Sequence, residues 1–130
     1  MTREDIRKQT MQMIFQMDVN QDFDYTNLIP IEENKKVLNK KQAIATLEAI
    51  KEHITDIDNI LSESMENWSI DRIAKTDLAI MRNSVAEMLY CENIPNKVSL
   101  NEAVELAKEF GDDKSYAFVN SVLSKVIKNI

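Results

Sequence analysis

The stretch PNKVSLNEAVELAKEFGDDKSYAFVNSVL, Pro95 to Leu123, decides the fold. Leu100, Ala103, Leu106, Ala107 and Phe110 recur at spacings of three and four, the period of a helix with one apolar face. Ser99 with Glu102 three residues on has the form of a capping box, the hydroxyl accepting from one amide while the carboxylate reaches back to the other. The pattern predicts a helix over 99–110. Gly111, the only glycine in the chain, falls where a left-handed C′ residue would stop it. Asp112 or Asp113 can cap a final helix, along which Phe118, Val119, Val122, Leu123, Val126, Ile127 and Ile130 keep the helical spacing.

Upstream, the same period returns three times. Ile6, Thr10, Met13, Ile14 and Met17 predict a helix over 3–18, with Met11 and Phe15 widening its stripe. Ala43, Leu47, Ile50, Ile54, Ile57, Leu61 and Met65 predict a long helix over about 40–65. Asn39 and Gln42 resemble its capping box, and Leu38 is placed to staple against Ala43. Ile70, Ile73, Ala74, Leu78, Met81, Val85, Met88 and Leu89 predict a helix over about 70–92, with Ser69 as its cap. Residues 20–38 have no clear period and contain Pro30, so a loop with a short turn is expected. The sum is one all-α domain over residues 1–130, a compact bundle of about five long helices.

Composition agrees. One glycine and two prolines in 130 residues are too few for the turns that sheets need. No apolar run reaches the ~20 residues that span a bilayer, and the N-terminus lacks the apolar stretch of a signal peptide. Cys91 stands alone, so no internal disulfide forms. A cytoplasmic location is expected. The net charge of −6 argues against a protein wrapped in nucleic acid, although not against a local basic patch. Residues 21–65 carry five positive and nine negative charges while residues 1–20 carry three of each, so an RNA site is best sought at the chain ends.

Catalytic chemistry finds no support. The lone histidine, His53, lies just off the seam of its helix, where a half-buried or solvated role is expected. Cys91 has no histidine nearby and reads as a small core residue. No Gly-rich loop cradles phosphate and no Cys/His cluster suits zinc. The carboxylates fit caps and surface pairs, such as Glu48 and Glu52 on one helical face.

The run Ile94–Gly111 resembles the NusB family, whose members read (D/I)-P-x-K-V-x-I-N-E-A-V-E-L-A-K-x-F-G. Asp112–Asn120 is similar to that family's S-x-K-F-V-N-G segment. Asp77-Leu78-Ala79-Ile80-Met81-Arg82 with Glu87 resembles its D-R-A-I-L-R…E pattern. The resemblance implies two packed three-helix halves and a role in transcription antitermination. It implies binding to boxA RNA in ribosomal RNA operon leaders, jointly with the ribosomal protein NusE, and action on RNA polymerase with other Nus factors. It implies no catalysed reaction; no cofactor, metal or membrane is expected from the residues themselves. Some NusB-like proteins dimerise, so a homodimer stays open.

The same resemblance implies RNA contacts at Arg3, Arg7, Lys8, Phe15 and Lys114, and partner contacts at Asp77, Phe118 and Asn120. The family's N-terminal arginine motif is thinned: Arg3 and Arg7 hold its outer positions, but Glu4 and Asp5 stand where arginines often occur. Ala117 replaces a common lysine, Lys114 an acid of some members, and Ser121 a glycine. Replacing Arg3 and Arg7 together by alanine is expected to lower RNA affinity and leave the melting temperature unchanged. Phe15 and Phe118 also fit core roles, and Asp77 also fits an ion pair. Asn101 and Asn120 are expected on or beside buried faces. Two other readings fit: a helical protein–protein adaptor without RNA binding, and an accessory domain related to rRNA methyltransferases. The latter would continue into a Rossmann-like region, whereas this sequence ends at Ile130.

Overall fold

The computed structural model describes residues 1–130. Its axis is α3 (Lys75–Tyr90), in which every residue from Asp77 to Glu87 is buried. A helix buried on all sides must be covered by neighbours all round. On one flank these are α1 (Arg3–Asn20) and α2 (Lys41–Glu63), and on the other α4 (Asn96–Phe110) and α5 (Ser115–Asn129). The two three-helix groups, α1–α2–α3 and α3–α4–α5, therefore share α3. The core is one continuous cluster that includes Met13, Ile14, Met17, Leu47, Ile50, Ile57, Leu61, Ile80, Met81 and Leu123. No helix is long and apolar enough to cross a membrane.

Each expected helix is present, but four of its signals are placed differently. The predicted helix over 70–92 is broken. Ile70–Arg72 is a short 3-10 turn, and extended backbone at Ile73 and Ala74 separates it from α3. Ile70 and Ile73 still pack on the core, so the apolar spacing runs on across the break. Second, α4 starts at Asn96 behind Pro95, whose fixed φ suits a helix start. The Ser99 amide donates to the Pro95 carbonyl (3.1 Å), so Ser99 is inside the helix and caps nothing. Third, Lys40 precedes α2 and no side chain caps it, because Asn39 belongs to a 3-10 turn, Glu32–Asn39, that runs into the helix. That turn, with another at Tyr25–Asn27, occupies the expected loop and buries Asn34 and Val37. Fourth, Gly111 is not left-handed; its backbone is extended (φ −90°). It is required by close approach instead: a Cβ there would lie 2.4 Å from the Ser115 Cβ and 2.7 Å from the Ala107 carbonyl oxygen.

The capping box that does form is at the start of α1. The Thr2 hydroxyl accepts from the Asp5 amide (3.0 Å) and the Asp5 carboxylate accepts from the Thr2 amide (3.2 Å). His53 is half-buried, as expected, at a non-helical kink in α2, and its ring stacks on Tyr90 with centroids 3.9 Å apart. Cys91 is only half-buried and is not a core residue. Asn101 and Asn120 are exposed, away from the buried faces expected of them.

Candidate nucleic-acid interface

The polar groups buried on α3 fix its neighbours. Arg82 forks onto Asp58 of α2, with Nε and Nη2 donating at 2.8 and 2.9 Å, and its Nη1 lies 3.3 Å from Asp18 of α1. Near the C-terminal end, the Arg7 Nε donates to both Glu87 oxygens, at 2.9 and 3.2 Å. Ser99 donates to Glu87 as well (2.8 Å), and its oxygen is 2.8 Å from the Ser84 hydroxyl. Since Ser99 spends its proton on Glu87, Ser84 is the donor to Ser99. Burial pushes the Glu87 carboxyl above the usual carboxylate range, opposed by Arg7 and then Ser99. Glu87 thus ties α1 and α4 to α3.

At the other end, Asp77 is 8% exposed and far less well served. Its Oδ2 accepts from Ser115 (3.1 Å), while Oδ1 is buried without a partner. The Ser115 oxygen is also 3.3 Å from Asp112 Oδ1, and one hydroxyl proton serves only one carboxylate at a time. Burial raises the Asp77 carboxyl, Ser115 opposes this, and Asp112 adds to it. Asp77 opens on a cleft of about 270 Å³ with Trp68, Arg72, Lys114 and Phe118. Trp68 is 56% exposed and meets the Phe118 ring edge-on at 5.9 Å. Asp77, Lys114 and Phe118, singled out in the sequence, therefore share one cleft, and Trp68 and Arg72 are additions to it. No motif flagged those two; the cleft is assembled by the turn that breaks away from α3.

The N-terminal residues divide. Arg3 is exposed, but Arg7 is 7% exposed and committed to Glu87, with Glu102 at 3.9 Å. The expectation that both arginines are removable without loss of stability therefore fails for Arg7. Lys8 is bound to Glu109 (2.8 Å) and lies over the Phe110 ring. Phe15 is half-buried against the core. Two grooves flank this part of α1. The one toward α4 carries five carboxylates (Glu4, Asp5, Glu102, Glu105 and Glu109) against Arg7, Lys8 and Lys108. The one toward α2, of about 510 Å³, is lined by Arg3, Arg7 and Lys41 with Tyr90, and Glu92 is its single carboxylate. Lys41 closes a run of four lysines in Lys35–Lys41, a signal visible in the sequence whose meeting with Arg3 is not. No group of His, Cys, Asp or Glu side chains is arranged to hold a metal.

The chain as a whole, in sequence and in fold, is similar to known proteins. The NusB family model matches residues 4–128. The transcription antitermination protein NusB of Finegoldia magna is 44% identical over 98% of this chain and 95% of its own length. The solved structure of T. maritima NusB superposes with a TM-score of 0.83 at 30% identity, covering 98% of this chain and 92% of that one. A crystal structure of antitermination factors NusB and NusE in complex with dsRNA superposes with a TM-score of 0.77 at 25% identity, covering 98% and 97%.

Proposed function

The chain belongs to the NusB family, and we propose that it is a transcription antitermination factor that binds boxA-type leader RNA of rRNA operons together with NusE. The RNA-bound pair then acts on elongating RNA polymerase with other Nus factors, in the cytoplasm. It works by binding and not by catalysis. The observation that carries this reading is the full-length likeness to a NusB that is solved in complex with NusE and RNA.

The residues divide by what the fold leaves free. Arg3 and Lys114 are exposed cations and are proposed RNA contacts. Asp77 and Phe118 share a cleft with Lys114, and with exposed Asn120 are proposed for the partner face. Arg7 contributes by holding α1 against α3. Phe15 and Lys8 are weaker contributors, since one packs on the core and the other is paired. RNA alone binds weakly, because the net charge is −6; a partner that adds cationic surface tightens it and gives steep salt dependence.

A gel shift with a boxA oligonucleotide and a scrambled control, run with and without NusE, tests the reading. Selective binding that strengthens with NusE is the expected result. NusE binding with no preference for boxA would favour instead a protein–protein adaptor, a reading supported by the pairing of Arg7 and Lys8 to carboxylates.

A further inference from the structure

We propose that the RNA strand leaves the α1 arginines toward α2, in the groove between Arg3 and Lys41, and that Lys40, Lys41 and Tyr90 supply contacts that the thinned arginine motif lacks. This rests on the RNA-binding reading above. The two grooves beside α1 are electrostatic opposites. Toward α4, five carboxylates would repel a phosphate backbone, and Lys8 and Lys108 are already paired, to Glu109 and Glu105. Toward α2, Arg3 and Lys41 face one carboxylate, Glu92, while Arg7 is already committed to Glu87. Arg3, Lys40 and Lys41 are in no ion pair, and Lys36 extends the same run, also unpaired. In an acidic protein such a cluster of free cations holds its positions against no internal partner, and a polyanion supplies one.

The groove also offers what single-stranded RNA uses besides charge. Tyr90 is 37% exposed and lines the wall. His53 backs one face of its ring at 3.9 Å with the planes 5° apart, which holds the ring rigid as a stacking surface for a base. An acidic protein partner is the competing occupant. The combination of aromatic wall and unpaired cations along an extended groove fits a strand of nucleotides better.

The test uses the full chain with NusE and fluorescent boxA RNA, titrated at several salt concentrations. Lys40→Ala/Lys41→Ala should weaken binding by about tenfold and make the log–log salt slope shallower by roughly 1–2, as each lost phosphate contact removes about 0.7. Tyr90→Ala should weaken binding by about tenfold and leave the slope unchanged, because stacking releases no counterions. Lys108→Ala, on the acidic side, should bind like the unaltered protein. Bound RNA should also slow maleimide modification of Cys91, which lines this groove. Thermal melts confirm that each variant is folded. Unaltered affinity and slope in the double lysine variant, or an equal loss in Lys108→Ala, overturns the proposal while leaving the RNA-binding reading intact. Failure of the unaltered protein with NusE to prefer boxA over a scrambled strand overturns both.

Discussion

The two ends of α3 each bury a carboxylate, and they treat it oppositely. Glu87 is surrounded by Arg7, Ser99 and, through Ser99, Ser84. Asp77 has one shared hydroxyl and an oxygen with no partner at all. A buried ion is tolerable when its lone pairs are filled and costly when they are not. The Glu87 end is therefore built for the fold. The Asp77 end, which opens beside an exposed tryptophan and two unpaired cations, carries a cost that the fold alone does not justify, as binding sites commonly do.

The largest expected effect tests the satisfied end. Arg7→Ala leaves Glu87 buried without its counter-ion and should destabilise by about 3–5 kcal/mol. Chemical denaturation measures this directly. Arg7→Ala/Glu87→Gln should recover much of the loss, because the remaining side chain is neutral. A loss no greater than that of Arg3→Ala would mean that the pair is not structural, and the contrast between the two ends would collapse.

Gly111 connects to the other end. A Cβ at this position meets Ser115 and the Ala107 carbonyl well inside contact distance, and Ser115 is the sole donor to Asp77. Gly111→Ala should cost about 1–3 kcal/mol by overpacking. It should also loosen the cleft, visible as increased Trp68 fluorescence quenching by acrylamide. Normal stability in this variant would show that the α4–α5 junction yields easily and that Ser115 is not held in place.

How much of this was legible in the sequence follows from the range of the interactions. Helical periods are local, so all five long helices could be read. Breaks were harder: nothing at Ile73 or Ala74 resembles a glycine or proline stop, and the apolar spacing continues through them. Ser99 and Glu102 match a capping box, but i,i+3 is also the spacing of one helix face, and Pro95 starts the helix first. The true box, Thr2 with Asp5, lies in the short acidic lead of α1 and carries an aspartate where the usual pattern has Glu or Gln. Site roles depend on partners distant in the chain. Arg7 and Glu87 are 80 positions apart, so an arginine that reads as a free RNA contact is a buried tie. The lysine run at 35–41 lies in the most acidic segment, and only folding sets its last member, Lys41, beside Arg3.

Asp77→Asn reverses the sign of a usual destabilising change. Because burial raises the Asp77 carboxyl, its contribution to stability is present when protonated, at low pH, and is lost as pH rises through its folded value. Asparagine removes the charge, so the variant should be more stable at neutral pH by about 1 kcal/mol, or roughly 3–5 °C in Tm. The gain should shrink as pH falls through that raised folded value, where the native carboxyl also becomes neutral. RNA or NusE binding should weaken at the same time. A variant that is less stable at neutral pH would show that Asp77 is satisfied after all.

The smallest effect comes from a neighbour that resembles Arg7 in everything except burial. Lys8 meets Glu109 at 2.8 Å, and Arg7 meets Glu87 at 2.9 Å. Equal lengths do not mean equal worth. Both Lys8 and Glu109 remain hydrated, with side chains 38% and 52% exposed, so little is lost when water replaces either partner. Lys8→Ala should leave the melting temperature unchanged. It should also lower RNA affinity less than Arg3→Ala does, because Glu109 already competes for the ammonium and four further carboxylates surround the groove. A matched salt titration of the two variants makes the comparison, since loss of a real phosphate contact shows as a shallower slope and loss of a paired surface lysine does not. A larger slope change for Lys8→Ala than for Arg3→Ala would place the RNA on the acidic side of α1, contrary to the charge of the two grooves.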